Sequence, residues 1–430
     1  MRIARDSYLK KLVDRQGNGL IKIVTGIRRC GKSYLLFEIF KEHLLKSGVP
    51  KDHIIEIKLD DRANKVLRDP DLCYSYVKER VSPCSVAEDD GQNCSDGQGV
   101  YYVLLDEVQL MPEFEDVLNG FLHFDNVDVY VTGSNSKFLS TDVITEFRGR
   151  GDEVRLHPLS FAEFFSVWDG DWESAWNAYY TYGGMPRIAL MENDEDKIAY
   201  LNRLFSETYL RDIVERNGVK RPDELGEVVD FIASSVGSLT NPARLSAAFK
   251  SSKSVDISEA TVANYLRYLE EAFLVSRAKR YDVRGRRAIG SPYKFYFEDV
   301  GLRNARLNFR QQEQTHIMEN VIYNELVGRG FAVDVGVVET RKMENGVRST
   351  RSTEIDFVAN LGSKRYYIQS AYSLPTEEKR AQEVRSLNGT GDSFKKIVVV
   401  RDNVMLSRDE QGIVTMGLRE FLLDKNSLDL

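Results

Sequence analysis

The sequence predicts an α/β fold built on a mostly parallel sheet, and three observations predict it. The apolar run "LIKIVT" (20–25) leads directly into the octet "GIRRCGKS" (26–33), and Tyr34, Leu35, Leu36, Ile39 and Phe40 then repeat at helical spacing. A second apolar run, "YYVLLDEVQ" (101–109), closes on Asp106 and Glu107. Strand-like runs at 53–59, 128–136 and 153–160 alternate with helical stretches, the pattern of right-handed crossovers between parallel strands.

The octet matches G-x-x-x-x-G-K-[ST] in full. Phosphate oxygens need converging backbone N–H donors, and glycine allows the tight curl that aims them. The stretch Gly26, Ile27, Arg28, Arg29, Cys30, Gly31, Lys32, Ser33 and Tyr34 is thus the expected phosphate cradle. Lys32 supplies a point charge, Ser33 a hydroxyl for Mg²⁺, and the following helix the positive end of its dipole. Asp106 is expected to share the Mg²⁺, and Glu107 to take the proton of an attacking water. In "TGSNS" (132–136), Asn135 is the choice for orienting that water, Ser134 the fallback, and a plain turn the other reading. Arg148 and Arg150 follow in "EFRGRGDEV"; either could reach a neighbouring subunit's nucleotide in trans, or be a solvated surface arginine.

Composition bounds the rest. A chain of 430 residues suggests two to four domains. At 42% hydrophobic and 29% charged, with no apolar run of roughly 18 residues and a charged N-terminus, it reads as cytoplasmic with no membrane partner. Four scattered cysteines (Cys30, Cys73, Cys84, Cys94) read as reduced thiols rather than a zinc site. A net charge of −7 excludes a uniformly basic nucleic-acid coat, so any such surface must be a local patch. The aromatic stretch 161–220, with Trp168, Trp172 and Trp176, reads as helical core, and "GGMP" (183–186) as a loop-to-helix entry.

From about residue 225 two short amphipathic helices precede a third, "DISEATVANYLRYLEEAFLV", expected to be capped from Asp256 with Glu259. Two strand-like runs around a basic tip follow, and three helices with a hairpin make a winged helix. Thr261, Asn264 and Arg267 are expected to face outward. Between 277 and 287, Arg277, Lys279, Arg280, Arg284, Arg286 and Arg287 face one acid, Asp282. Such a wing would meet nucleic-acid phosphates with little sequence readout, or pack on an adjacent subunit.

Taken together, "GIRRCGKS", "YYVLLDEVQL", "VTGSNS" and "RGR…HPLSFAEFF" resemble a family of bacterial and archaeal AAA-type ATPases. Members carry a C-terminal domain of unknown function that looks like a restriction-endonuclease fold. "YGGMPRIAL" (182–190), "YLRDIVERNGV" (209–219) and "TEIDFVANLGSKRYYIQSAYSL" (353–374) agree. The resemblance implies ATP and Mg²⁺ as cofactors, and a homo-oligomer with a hexamer as the family-level expectation. It divides the chain into an AAA-type P-loop core (1–160), a helical segment (161–224), a winged helix (225–310) and a nuclease-like α/β domain (311–430). The polar insert 82–99 departs from the usual pattern.

An active nuclease-like member would carry an Asp on one strand and Glu-x-Lys on the next, holding Mg²⁺ and positioning water. Strand alternation puts Glu354 and Asp356 on one face. The Glu-x-Lys position reads Gln369-Ser370-Ala371, a poor metal ligand and no amine. Glu319, on a preceding helix, cannot make up both losses. Cleavage is not expected. The combined expectation is an oligomeric Mg²⁺-dependent ATPase coupled to a DNA-associated module; the alternative is a nucleotide-controlled signalling or defence switch acting on a protein partner.

Overall fold

A computed structural model describes residues 3–81, 99–133, 147, 149–253, 257–311, 313–344 and 347–430. The chain forms two compact units, Arg2–His157 and Pro158–Leu430. No helix among the described residues is long and apolar enough to cross a membrane.

The first unit is a five-stranded sheet in the order β2-β3-β4-β1-β5, formed by β1 (Ile21–Thr25), β2 (Ile54–Lys58), β3 (Tyr101–Asp106), β4 (Val127–Thr132) and β5 (Gly151–Arg155). Every pairing is parallel, as the alternation of runs and helices predicts. All five residues of β1 are buried, so the strand reads as a continuous apolar run because both faces are covered. Ile23, Val103, Leu105, Val129 and Val131 pack with Phe114 and Phe121 from the helix Phe114–Phe121. At the end where β1 starts, the buried Lys22 ammonium is paired with Asp128 on β4, whose carboxylate also accepts from the Tyr130 hydroxyl at 3.0 Å.

The second unit opens on the aromatic segment. Phe161 meets Trp172, Trp176 and Tyr179 edge-on, so the aromatic residues make core, as their density suggests. Asp299 holds the "GGMP" turn in place: its carboxylate accepts from Gly184 N at 2.7 Å and from Leu302 N at 3.0 Å. Asn304 donates to Tyr180 O and Thr181 O, both at 3.0 Å, satisfying the last carbonyls of the helix Trp172–Tyr182. A Cβ on Gly301 would lie 2.0 Å from Tyr182 O, so the two segments meet only because that side chain is absent.

Three helices follow, Pro222–Ser234, Pro242–Lys253 and Glu259–Glu271. The third is capped by Ser258, whose hydroxyl accepts from Thr261 N at 3.1 Å; Asp256, the expected cap, lies outside the described residues. The antiparallel pair β6 (Val275–Asp282) and β7 (Arg287–Phe297) then enters a larger sheet. That sheet also contains β8 (Ala332–Glu344), β9 (Val347–Leu361), β10 (Lys364–Ala371), β11 (Lys395–Val400), β12 (Ser407–Arg408) and β13 (Val414–Gly417), and runs β12-β13-β11-β10-β9-β8-β6-β7. Parallel pairing of Arg280, Tyr281 and Asp282 with Val335, Gly336 and Val337 carries the hairpin across the expected boundary near residue 310. The hairpin is therefore part of the C-terminal sheet's hydrogen-bond ladder and not a free-standing wing.

Burial lifts the Asp299 carboxyl to about 6, against the lowering effect of its backbone donors. The folded state thus holds this proton where the unfolded chain, at 3.8, releases it. Its contribution is complete below about pH 4 and lost as pH rises through about 6, a change of about 3 kcal/mol. Denaturant midpoints from pH 4 to 7 should fall more steeply for the wild type than for Asp299→Asn. Gly301→Ala should be destabilised at every pH.

Candidate functional site

The phosphate loop connects the end of β1 to a helix that begins at Lys32–Tyr34, is π-helical over Leu35–Phe40 and regains α geometry at Lys41–Lys46. Both motif glycines have left-handed backbones, with φ of 137° at Gly26 and 101° at Gly31. A Cβ on Gly26 would stand 2.1 Å from Leu156 O, which leaves glycine as the residue this close approach admits. Arg29 also turns left-handed, at φ 66°. Arg28, Arg29 and Tyr34 are exposed, whereas Ile27 and Cys30 are buried beneath the loop. The Lys32 side chain is buried, and its ammonium donates to Gly26 O at 2.9 Å and Ile27 O at 3.2 Å. The lysine thus braces the loop through carbonyls it would leave for a phosphate.

Asp106 ends β3 beside this loop. Its Oδ1 accepts from the Ser33 hydroxyl at 3.0 Å and also from the Thr132 hydroxyl. Thr132 closes β4, and its oxygen receives the Glu107 backbone N–H at 3.1 Å. Glu107 is left-handed, at φ 52°, and its carboxylate accepts from the Gln109 amide. Burial pushes the Asp106 carboxyl above its ordinary range; the Thr132 and Ser33 hydroxyls pull it partway back, while Glu107 and Asp60 raise it further. A cation placed here would offset both burial and the neighbouring acids. A hydroxyl and a carboxylate side by side are hard oxygen donors suited to Mg²⁺, so Ser33 and Asp106 fit that ion.

The sequence reading missed Thr132 and Gln109. The signal for Thr132 was its place as the last residue of a buried strand, one step before "GSN". Asn135, Ser134, Arg148 and most of the insert, residues 82–98, lie outside the described residues. Arg150 is exposed, and its carbonyl accepts from Ile21 N at 2.8 Å at the start of β1. That places it about 13 Å of strand from Thr25 and the loop of its own site.

The hairpin's charges are partly spent. Arg277 pairs with Glu270 at 3.1 Å and Arg287 with Asp282 at 3.4 Å, while Arg284 Nε donates to Gly389 O at 2.8 Å. Lys279 and Arg286 are exposed, and Arg280 is half-buried within the β6–β8 pairing. On the third helix, Asn264 is exposed, but Arg267 is paired with Glu271 at 2.7 Å. Thr261 does not face outward as expected: it is half-buried and its hydroxyl lies 2.8 Å from that of Ser258.

On β9 Glu354 and Asp356 lie on one face, as alternation predicts, and Glu319 of the helix Gln314–Gly328 meets them there, but a lysine absent from the sequence reading joins all three. Lys294 Nζ lies 2.9 Å from Glu319, 2.8 Å from Glu354 and 3.8 Å from Asp356. Gln369 Oε1 is buried without a hydrogen-bond partner, and the next residue's backbone, Ser370 N, donates to Asp356 at 2.8 Å.

Comparison with known proteins gives the architecture a relationship. Residues 18–165 match the family described as an AAA domain, and residues 173–313 match a domain of unknown function (DUF8612). An uncharacterized protein of Haemophilus influenzae is 30% identical over 402 residues, covering 92% of this chain and 93% of its own. An uncharacterized protein of Methanocaldococcus jannaschii is 24% identical over 443 residues, covering 98% and 89%. Among solved structures, the Aeropyrum pernix ORC1 protein in complex with DNA is 14% identical at a TM-score of 0.31, covering 72% of this chain and 93% of that one. A DNA replication initiation factor is 17% identical at a TM-score of 0.29, covering 62% and 86%. The five-stranded parallel sheet carries the phosphate loop of the matched AAA domain at the end of β1, and the chain belongs to the same family as the Haemophilus influenzae protein.

Proposed function

We propose that the chain is a Mg²⁺-dependent ATPase that works as a homo-oligomer and couples hydrolysis to a DNA-associated module made of the three helices, the basic hairpin and the nuclease-like sheet. The observation that carries the ATPase reading is the convergence of Ser33, Asp106, Thr132 and Glu107 beside the Gly26–Gly31 curl, from the start of the loop's helix and the ends of β3 and β4. The loop's N–H groups and Lys32 bind the phosphates, and Ser33 with Asp106 holds the metal. Magnesium neutralises charge on the phosphates when bound. Thr132 fixes the Asp106 carboxylate and the Glu107 backbone together, so Glu107 is aimed to take a proton from water. Arg150, at the far end of its own sheet, is suited to act on a neighbouring subunit's nucleotide; Arg148 is the alternative candidate from the sequence. Asn135 is the proposed orienting group for water.

A second reading, a nucleotide-controlled switch acting on a protein partner, is favoured by the internal pairing of Arg277 and Arg287 on the hairpin. In the first reading DNA contact rests on the exposed Lys279, Arg284, Arg286 and Arg287 of the hairpin, with Asn264 the exposed candidate on the third helix, while the paired Arg267 and the half-buried Thr261 would contribute little.

Lys32→Ala should lower affinity for ATP about 100-fold or more, measured by fluorescent-analogue titration. Glu107→Gln should keep binding and lose about 10²–10⁴ of turnover. Unchanged turnover in both variants would end the ATPase reading.

DNA binding by the wild type should weaken steeply with salt, and Arg284/Arg286/Arg287→Ala should flatten that dependence. A salt profile and an ATPase rate indifferent to DNA and to the hairpin would favour the protein-partner switch. Mixing Arg150→Ala with Lys32→Ala subunits should restore part of the activity if the arginine works in trans.

A further inference from the structure

The nuclease-like resemblance implies a divalent metal among Glu319, Asp356 and the residue at Gln369, and the side chains present do not fit one. We propose that the Lys294 ammonium is the resident cation of this cluster, standing where the metal's ligands converge, so that the site excludes divalent ions.

Lys294 lies on β7, paired with Ala278 of β6, so its backbone is fixed by the sheet. Its side chain is 4% exposed, and those of Glu319 and Asp356 are 8% and 13% exposed. The ammonium lies within 3.8 Å of a carboxylate oxygen from each of Glu319, Glu354 and Asp356. Mg²⁺ would need about six oxygen ligands at about 2.1 Å around the same point. Two cations cannot share that volume.

The remaining contacts close the cluster. The Tyr296 hydroxyl donates to Glu319 Oε1 at 2.6 Å, and Ser370 N donates to Asp356 Oδ2 at 2.8 Å. A Cβ on Gly237 would come within 3.1 Å of Glu319 Oε1, so backbone walls the carboxylate on that side. The Lys294 ammonium is the counter-charge that all three carboxylates already share. The amine that Ala371 lacks is thus supplied from another strand, but as a bonded counterion of the carboxylates.

The test uses the full chain carrying Asp106→Asn, which silences the nucleotide site's metal. Mn²⁺ is titrated while melting temperature and the paramagnetic resonance of free Mn²⁺ are followed. The parent should bind no Mn²⁺ at the C-terminal cluster, and any shift of its melting temperature with Mn²⁺ should be the same with and without Asp356→Asn.

Adding Lys294→Met should create one Mn²⁺ site and a Mn²⁺-dependent rise of about 5 °C, lost again on adding Asp356→Asn. If the methionine variant melts low because the buried Glu319 and Asp356 and the half-buried Glu354 lose their partner, that rise is still the readout. A parent that binds Mn²⁺ in an Asp356-dependent way would overturn the proposal. So would a Lys294→Met chain that Mn²⁺ neither binds nor stabilises.

Discussion

The buried Asp106 carboxylate is the constraint on which the first unit's site rests. A carboxylate removed from water must find donors, and this one finds two hydroxyls carried by different segments, Ser33 at the start of the loop's helix and Thr132 at the end of β4. Those bonds tie the ends of β3 and β4 to the phosphate loop, so the site is as rigid as the sheet behind it. The sheet's apolar filling and the polar cluster at the ends of its central strands are therefore one design: the covered faces of β1, β3 and β4 fix strand register, and register fixes where the oxygens meet.

The second unit uses the same device in a different place. Asp299 accepts backbone N–H groups from a turn and from the first turn of a helix, and Asn304 satisfies the carbonyls of the helix Trp172–Tyr182. Lys294 is a third case, with charge in place of amide groups. In each, a buried polar group is kept because its partners are distributed over elements far apart in sequence. Such groups specify a unique arrangement while adding modest net stability.

Much of the first unit was legible because its signals are local. Apolar runs mark β1 and β3, and the glycines at 26 and 31 meet a backbone requirement visible in the letters themselves. Thr132 and Gln109 were less legible, since a strand-end threonine and a turn glutamine acquire meaning only from neighbours across the sheet. Lys294 was illegible for a stronger reason. Its partners stand 25, 60 and 62 residues away: the parallel pairing of β6 with β8 brings in the two on β9, and the helix Gln314–Gly328 brings in Glu319. The hairpin's fusion into the sheet was hidden in the same way, because a basic two-stranded run looks alike whether its edge is solvated or bonded. The capping serine displaced Asp256 because Ser258, not Asp256, sits one residue before the third helix.

The β6–β8 ladder also sets how the hairpin tip can behave. A free two-stranded ribbon is flexible, and anything that grips it must first immobilise it. Here the main-chain bonds at Arg280, Tyr281 and Asp282 already hold the ribbon just below its turn, leaving only a few residues around Arg286 beyond them. A ligand at the tip would meet a stiff prong, and tension on that prong would run as shear through eight strands instead of being absorbed by a swinging arm.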